Sequence, residues 1–149
     1  MRVHRKRRRY DYPEKRIHKR GVAELRLAFA LIGFEAAPFF HTPNEGIFSK
    51  REAAERDAMG LSPGQVDLVI VFPTRSGRPG AAIEVKAPDG TLDPKQRQWL
   101  QWWAAAGFEA RCTYGHRELA NTLAELGYIT AEQARQWIAI VTRTDPSAL

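Results

Sequence analysis

The chain has a single cysteine, Cys112, in 149 residues. An internal disulfide and a cysteine-rich zinc site are therefore excluded, and the usage fits a reducing compartment. It also lacks any apolar run near the roughly 18 to 20 residues that a membrane helix needs. No membrane span is expected, and no membrane partner. The basic start MRVHRKRRRYDY is followed by no apolar segment, so it does not read as a secretory signal. Internal repeats and low-complexity stretches beyond this start are missing too, which argues against solenoid or fibrous architectures.

Acidic residues are scarce at one end. Residues 1 to 20 hold ten Lys or Arg against Asp11 and Glu14, while the remaining 129 residues carry 13 basic and 15 acidic groups. The overall charge of +6 is thus the charge of an N-terminal arm on a nearly neutral body. A run such as Arg5, Lys6, Arg7, Arg8 and Arg9 repels itself, and beside Tyr10 and Tyr12 it suits contact with a phosphate backbone, driven by counterion release. A solubilising tail or a localisation signal is the plainer alternative.

The rest, 44% hydrophobic and 27% charged over the whole chain, is the length of one domain. Its patterning predicts a helix over 21–35 with an apolar spread too wide for one face, and a loop containing a short strand at Phe39-Phe40. A short polar helix opens at the S-x-x-E box of Ser49 and ends near Gly60. Two strands, Val66 to Phe72 and Ala81 to Lys86, form a hairpin through a Gly- and Pro-rich turn. Asp93-Pro94-Lys95-Gln96 caps a helix running to Ala106. A strand over 108–114, a helix near 117–126 and a last helix from Thr130 to about Thr142 complete a mixed α/β order.

The chemistry centres on IEVKAPDG, residues 83–90. Side chains alternate across a strand, so Glu84 and Lys86 share one face and Ile83 and Val85 the other. Antiparallel pairing brings Asp67 opposite or diagonal to them, converging two carboxylates and an ammonium. Carboxylates that close raise each other's pKa unless a cation lies between them, and oxygen ligands select a hard ion such as Mg²⁺. A solvated cross-strand pair is the plain reading of the same residues. Glu24, among Leu27, Ala28 and Leu31 on its helix, is expected to be partly buried and in need of a partner. Gln96 shares a face with Trp99, Leu100 and Trp103 and either points at the site or folds back on its own cap. His41, Thr42 and Asn44 sit in the loop leading to the hairpin. With Lys50 and Arg51, His41 and Asn44 are candidates for nucleic-acid contact.

Glu24, HTPNEG (41–46), GQVDLVIVF (64–72), IEVKAPDGTLDPKQRQWL (83–100) and AAGFEARCTYGHREL (105–119), in that order, resemble the VRR-NUC family of PD-(D/E)xK nucleases. The resemblance covers roughly 21 to 126. It implies a restriction-endonuclease-like α/β core, a mixed central sheet flanked by helices, that uses Mg²⁺ or Mn²⁺ to hydrolyse DNA. It makes Asp67 and Glu84 the metal carboxylates, with the Val85 carbonyl a further ligand and Lys86 the catalytic lysine. Glu24 becomes the helix carboxylate near the metal, and Gln96 the glutamine beside the site. It further implies branched substrates such as Holliday junctions or flaps, a homodimer, and a place in the cytoplasm of a bacterial or phage-infected cell. Family members usually carry proline before the aspartate; here it is Val66, which bears on register and not on ligation. The expected organisation is an arm (1–20), a nuclease domain (21–127) and a C-terminal helix (128–149) packed on the core or at a dimer interface. A nucleic-acid-binding module that keeps the fold without turnover is the alternative.

Overall fold

The structure is a computed structural model, and it describes residues 13–42, 49–60 and 64–149. The basic run Arg5 to Arg9 and Asn44 lie outside the described residues. The elements are α1 (Pro13–Leu31), β1 (Phe39–His41), α2 (Lys50–Ala58), β2 (Leu68–Ile70), β3 (Ala81–Lys86), α3 (Pro94–Ala105), β4 (Glu109–Tyr114), α4 (Gly115–Glu125) and α5 (Ala131–Thr144), with a closing 3₁₀ turn at Pro146–Ala148. None of the described helices is long and apolar enough to cross a membrane.

The sheet runs β1-β2-β3-β4, antiparallel at the first two junctions and parallel at the third. The hairpin is as the sequence predicts, and the parallel step follows from the crossover through α3, since parallel neighbours need a long connection. Strand β2 is shorter than expected, although main-chain bonds in the β1–β2 register continue past both of its ends. Val71 N–H donates to Pro38 O, and Asp67 O accepts from Thr42 N–H. Asp67 therefore lies one residue before the strand, where the register that pairs Leu68 with Ile83 carries on to set it against Glu84.

Two apolar layers cover the sheet. Leu68, Ile70, Ile83 and Val85 meet Ile17, Leu25 and Phe29 of α1, Leu119 and Leu123 of α4 and Trp137 of α5, all buried. On the other face Val66, Val69 and Ala82 meet Trp99, Leu100 and Trp103, the stripe expected to face the sheet. The C-terminal helix belongs to the first layer, through Ala134, Trp137 and Val141. Burying Trp137 completely removes one of the largest apolar side chains from water.

Helix α1 departs most from expectation. It begins at Pro13 and not at 21, so Lys15 to Arg20, counted with the arm, are helical. Proline in the first turn followed by Glu14 is a good helix start, and Ile17, Gly21 and Leu25 already keep a core-facing row at a spacing of four. At Gly21 a side chain would meet Leu119 Cδ2 at 2.9 Å, so its absence lets α1 lie against α4. The helix is not apolar all round: Leu27, Leu31 and Ile32 are exposed.

Candidate active site

All six side chains of β3 are buried, since β2 and β4 flank it and helices cover both faces. Glu84 and Lys86 are therefore not a solvated strand face: their side chains are 2% and 9% exposed. Lys86 Nζ lies 3.0 Å from Glu84 Oε1. Gln96 Nε2 donates to the same oxygen at 2.6 Å. Glu84 Oε2 is fully buried without a hydrogen-bond partner. Asp67, half-buried, accepts a 2.7 Å bond from Val85 N–H, which fixes its carboxylate against β3 at the level of Glu84.

The two readings of Gln96 are both correct, because the amide has two ends. Its Oε1 accepts from Asp93 N–H at 3.1 Å, closing the capping box, while its Nε2 reaches Glu84. The cap thus locks the rotamer that serves the site.

Electrostatics follow from burial. Removal from water and then the repulsion of Asp67 push the Glu84 carboxyl up to about 8, against the opposing pull of Lys86. For Lys86, burial lowers the pKa, but the carboxylates of Glu84, Glu14 and Asp67 outweigh it and hold the ammonium above its ordinary value. The direction that matters is that of Glu84, which binds a proton unless some further cation is present.

Glu24 is not part of this cluster. Arg20 reaches its Oε1 at 2.7 Å and Gln133 Nε2 its Oε2 at 3.4 Å, so it ties α1 to α5. The partner it needed is an arginine one turn back. The α1 carboxylate at the site is Glu14, whose Oε1 accepts from Ala87 N–H at 3.3 Å at the end of β3 and whose charge acts on both Glu84 and Lys86. The Pro13-Glu14 start was the available signal. On the other side, β4 sets Cys112 beside Glu84 and Tyr114 beside Lys86. Burial raises the Cys112 thiol, and its contact with Tyr114 raises the phenol.

His41 Nδ1–H donates to Asp67 O at 2.7 Å, and Thr42 Oγ1 donates to Val66 O, so this loop supports the backbone that carries Asp67. His41 also stacks edge-on against His18 at 4.5 Å. Burial and then His41 push His18 down to about 4, which keeps it neutral. Lys50 is exposed at the start of α2, and Arg51 there pairs with Glu55 at 3.4 Å.

A carboxylate pair, a lysine and a glutamine at the end of a hairpin coincide with a sequence match: the VRR-NUC domain matches residues 13–117. The chain belongs to the VRR-NUC family. A solved structure titled VRR_NUC domain protein shares the fold, at 18% identity and a TM-score of 0.60, with 78% of this chain and 89% of that one covered. No curated protein matches. The VRR-NUC match begins at Pro13, the first residue of α1, and so includes Glu14. Four of the five residues expected to do chemistry, Asp67, Glu84, Lys86 and Gln96, come together; Glu24 does not.

Proposed function

We propose that this VRR-NUC domain is a divalent-metal-dependent endodeoxyribonuclease. The observation that carries the reading is Glu84 Oε2, buried and unpartnered beside the Asp67 carboxylate. A buried carboxyl oxygen without a partner costs about 1–3 kcal/mol, the scale for an unsatisfied polar group, and more if it is ionised. A hard cation removes that penalty. Among the described residues no three His, Cys, Asp or Glu side chains come together as a metal cluster. Two carboxylates with a main-chain carbonyl are nevertheless the donor set that suits Mg²⁺, which keeps several waters and takes substrate phosphate oxygens. Asp67, Glu84 and the Val85 carbonyl would hold the ion, and Mn²⁺ is the alternative. Bound there, it would polarise a non-bridging phosphate oxygen and acidify a water.

The residues do the rest. The Lys86 ammonium is held by Glu84, so it can orient a water or stabilise the charge that develops on phosphorus. Gln96 fixes the Glu84 carboxylate from the opposite helix. Asp67 is fixed by the main chain of the strand it serves. Lys86 bears directly on catalysis, and Gln96 acts through Glu84.

The substrate is taken to be DNA, branched, with two copies of the chain acting on two strands, since one small domain presents one such centre. Purified protein incubated with labelled four-way junction, flap and linear duplex, with and without Mg²⁺, tests this beside a mass measurement in solution. Metal-dependent cleavage of the branched substrates by a dimer is expected. No cleavage of any substrate, or equal cleavage by Lys86→Ala, would defeat the catalytic reading.

A further inference from the structure

Helix α1 carries its positive charge in two unlike rows. Arg16 pairs with Asp145 at 3.4 Å and Arg20 with Glu24 at 2.7 Å, on the side turned to α5. Lys15, Lys19 and Arg26 have no ion-pair partner among the described residues. They line a groove of about 430 Å³ together with His18, Val22, Ala23 and His41, and no acidic side chain lines it. The spacing 15, 18, 19, 22, 26 is one helix face, roughly 120° round the helix from the row Ile17, Gly21, Leu25 that enters the core. Nothing in the core requires that row to be basic. Three like charges on one face repel each other, and they destabilise the helix unless a partner of opposite sign is present.

The position of the groove indicates what that partner is. Its first residue, Lys15, follows Glu14, which bonds to the end of β3 beside Lys86. His41 closes the other wall and donates to Asp67 O at 2.7 Å. The groove runs along α1, with Lys15 the chain neighbour of Glu14 and His41 bonded to the main chain of Asp67. From Lys15 to Arg26 the helix rises about 16 Å. One strand of a duplex presents a phosphate about every 3.4 Å of axis, so the row spans a few consecutive phosphates. The apolar floor of Val22 and Ala23 leaves room for sugars between the cations.

We propose that this groove is a backbone-binding subsite, in which Lys15, Lys19 and Arg26 hold the phosphates of a nucleic-acid strand flanking the scissile position. Contact of this kind positions the strand and carries no sequence preference. The subsite rests on the reading of the neighbouring centre as a nuclease; it gives Lys15 and Lys19, counted with the arm, a place on α1 and adds Arg26 to them.

The test separates the two. Binding of a fluorescently labelled DNA junction is measured by anisotropy in EDTA, where cleavage plays no part, over a range of salt. Lys19→Ala and Arg26→Ala should each weaken binding several-fold and reduce the slope of log affinity against log salt by about one phosphate's share, roughly 0.9 for duplex DNA. Arg26→Glu should weaken it further. Arg143→Ala, an exposed cation on α5, is the matched control and should change neither. If cleavage is seen with Mg²⁺, the groove variants should raise KM more than they lower kcat. Unchanged affinity and salt slope in Lys19→Ala and Arg26→Glu overturns the subsite, even where cleavage is intact. Weakened binding in those variants upholds it, even where no cleavage is found.

Discussion

The two faces of β3 are built from alternate residues of one six-residue strand, and they do opposite things. Ile83 and Val85 enter an apolar layer made by α1, α4 and α5. Glu84 and Lys86 enter an equally buried space under α3, but as ionisable groups, with one carboxyl oxygen of Glu84 unpartnered. Apolar burial stabilises the fold at about 25 cal/mol per Å², whereas an ion pair taken out of water is at best neutral and costly when incomplete. One face holds the domain together, and the other spends part of that stability on a site.

The sharpest way to separate them is to damage each in turn. Lys86→Ala should lower metal-dependent cleavage by on the order of 10²–10⁴-fold, the range over which a positioned proton-transfer or charge-stabilising group contributes. Its thermal midpoint should change little, because Glu84 can bind a proton once the ammonium is gone. Ile83→Ala should do the reverse. The cavity it leaves in a fully buried position costs about 2–5 kcal/mol in denaturant unfolding, while cleavage per folded molecule is retained. A variant on the polar face that lost stability as heavily as activity would erase the distinction.

The comparison also predicts an unusual dependence on pH. The Glu84 carboxyl titrates near 8 in the folded metal-free protein and near 4.5 in its ordinary state. Between those values the folded chain binds more protons than the unfolded one, so stability falls as pH rises. The metal-free protein should lose on the order of a few kcal/mol between pH 5 and pH 8, after other groups are allowed for. Glu84→Gln should flatten that fall. Added Mg²⁺ should raise the melting temperature, and more at pH 8 than at pH 5, because the ion competes with the proton for the same oxygens. A melting temperature that is flat over this range in the native chain would mean that Glu84 keeps its charge without a metal.

Much of this was legible in the sequence because the signals were local. The three capping boxes at Ser49, Thr130 and Asp93 form as their spacing requires, and the hairpin register follows from its turn. What failed depended on distance. Alternation in IEVK says which side chains share a face, but not that β4 and α3 bury the polar one; that comes from the parallel crossover. The basic residues before Gly21 resemble an arm because charge density is high, yet a helix needs only one apolar residue per turn facing the core, and Ile17 supplies it. Glu24 has apolar neighbours and was expected at the site. Its carboxylate is satisfied by Arg20 and by Gln133, 109 residues away in sequence.

That last correction gives the finest test, at the two ends of α1. Glu14 and Glu24 are ten residues apart on one helix, each within bonding distance of another element. Glu14 reaches the β3 end beside Lys86; Glu24 reaches Arg20 and α5. Removing charge at Glu14 changes the field at Lys86 and Glu84, so Glu14→Gln should lower cleavage by about tenfold, equivalent to roughly 1.4 kcal/mol of lost electrostatic interaction, with an unchanged melting temperature. Glu24→Gln keeps a hydrogen-bonding side chain but loses its bond to a cation. It should cost about 1–2 kcal/mol of stability, with kcat and the Mg²⁺ requirement unaltered. Both quantities come from one preparation of each variant, by denaturant titration and initial-rate measurement. If Glu24→Gln lowers the rate and Glu14→Gln does not, the assignment of the helix carboxylate reverts to Glu24, and α1 must shift along its axis when substrate binds.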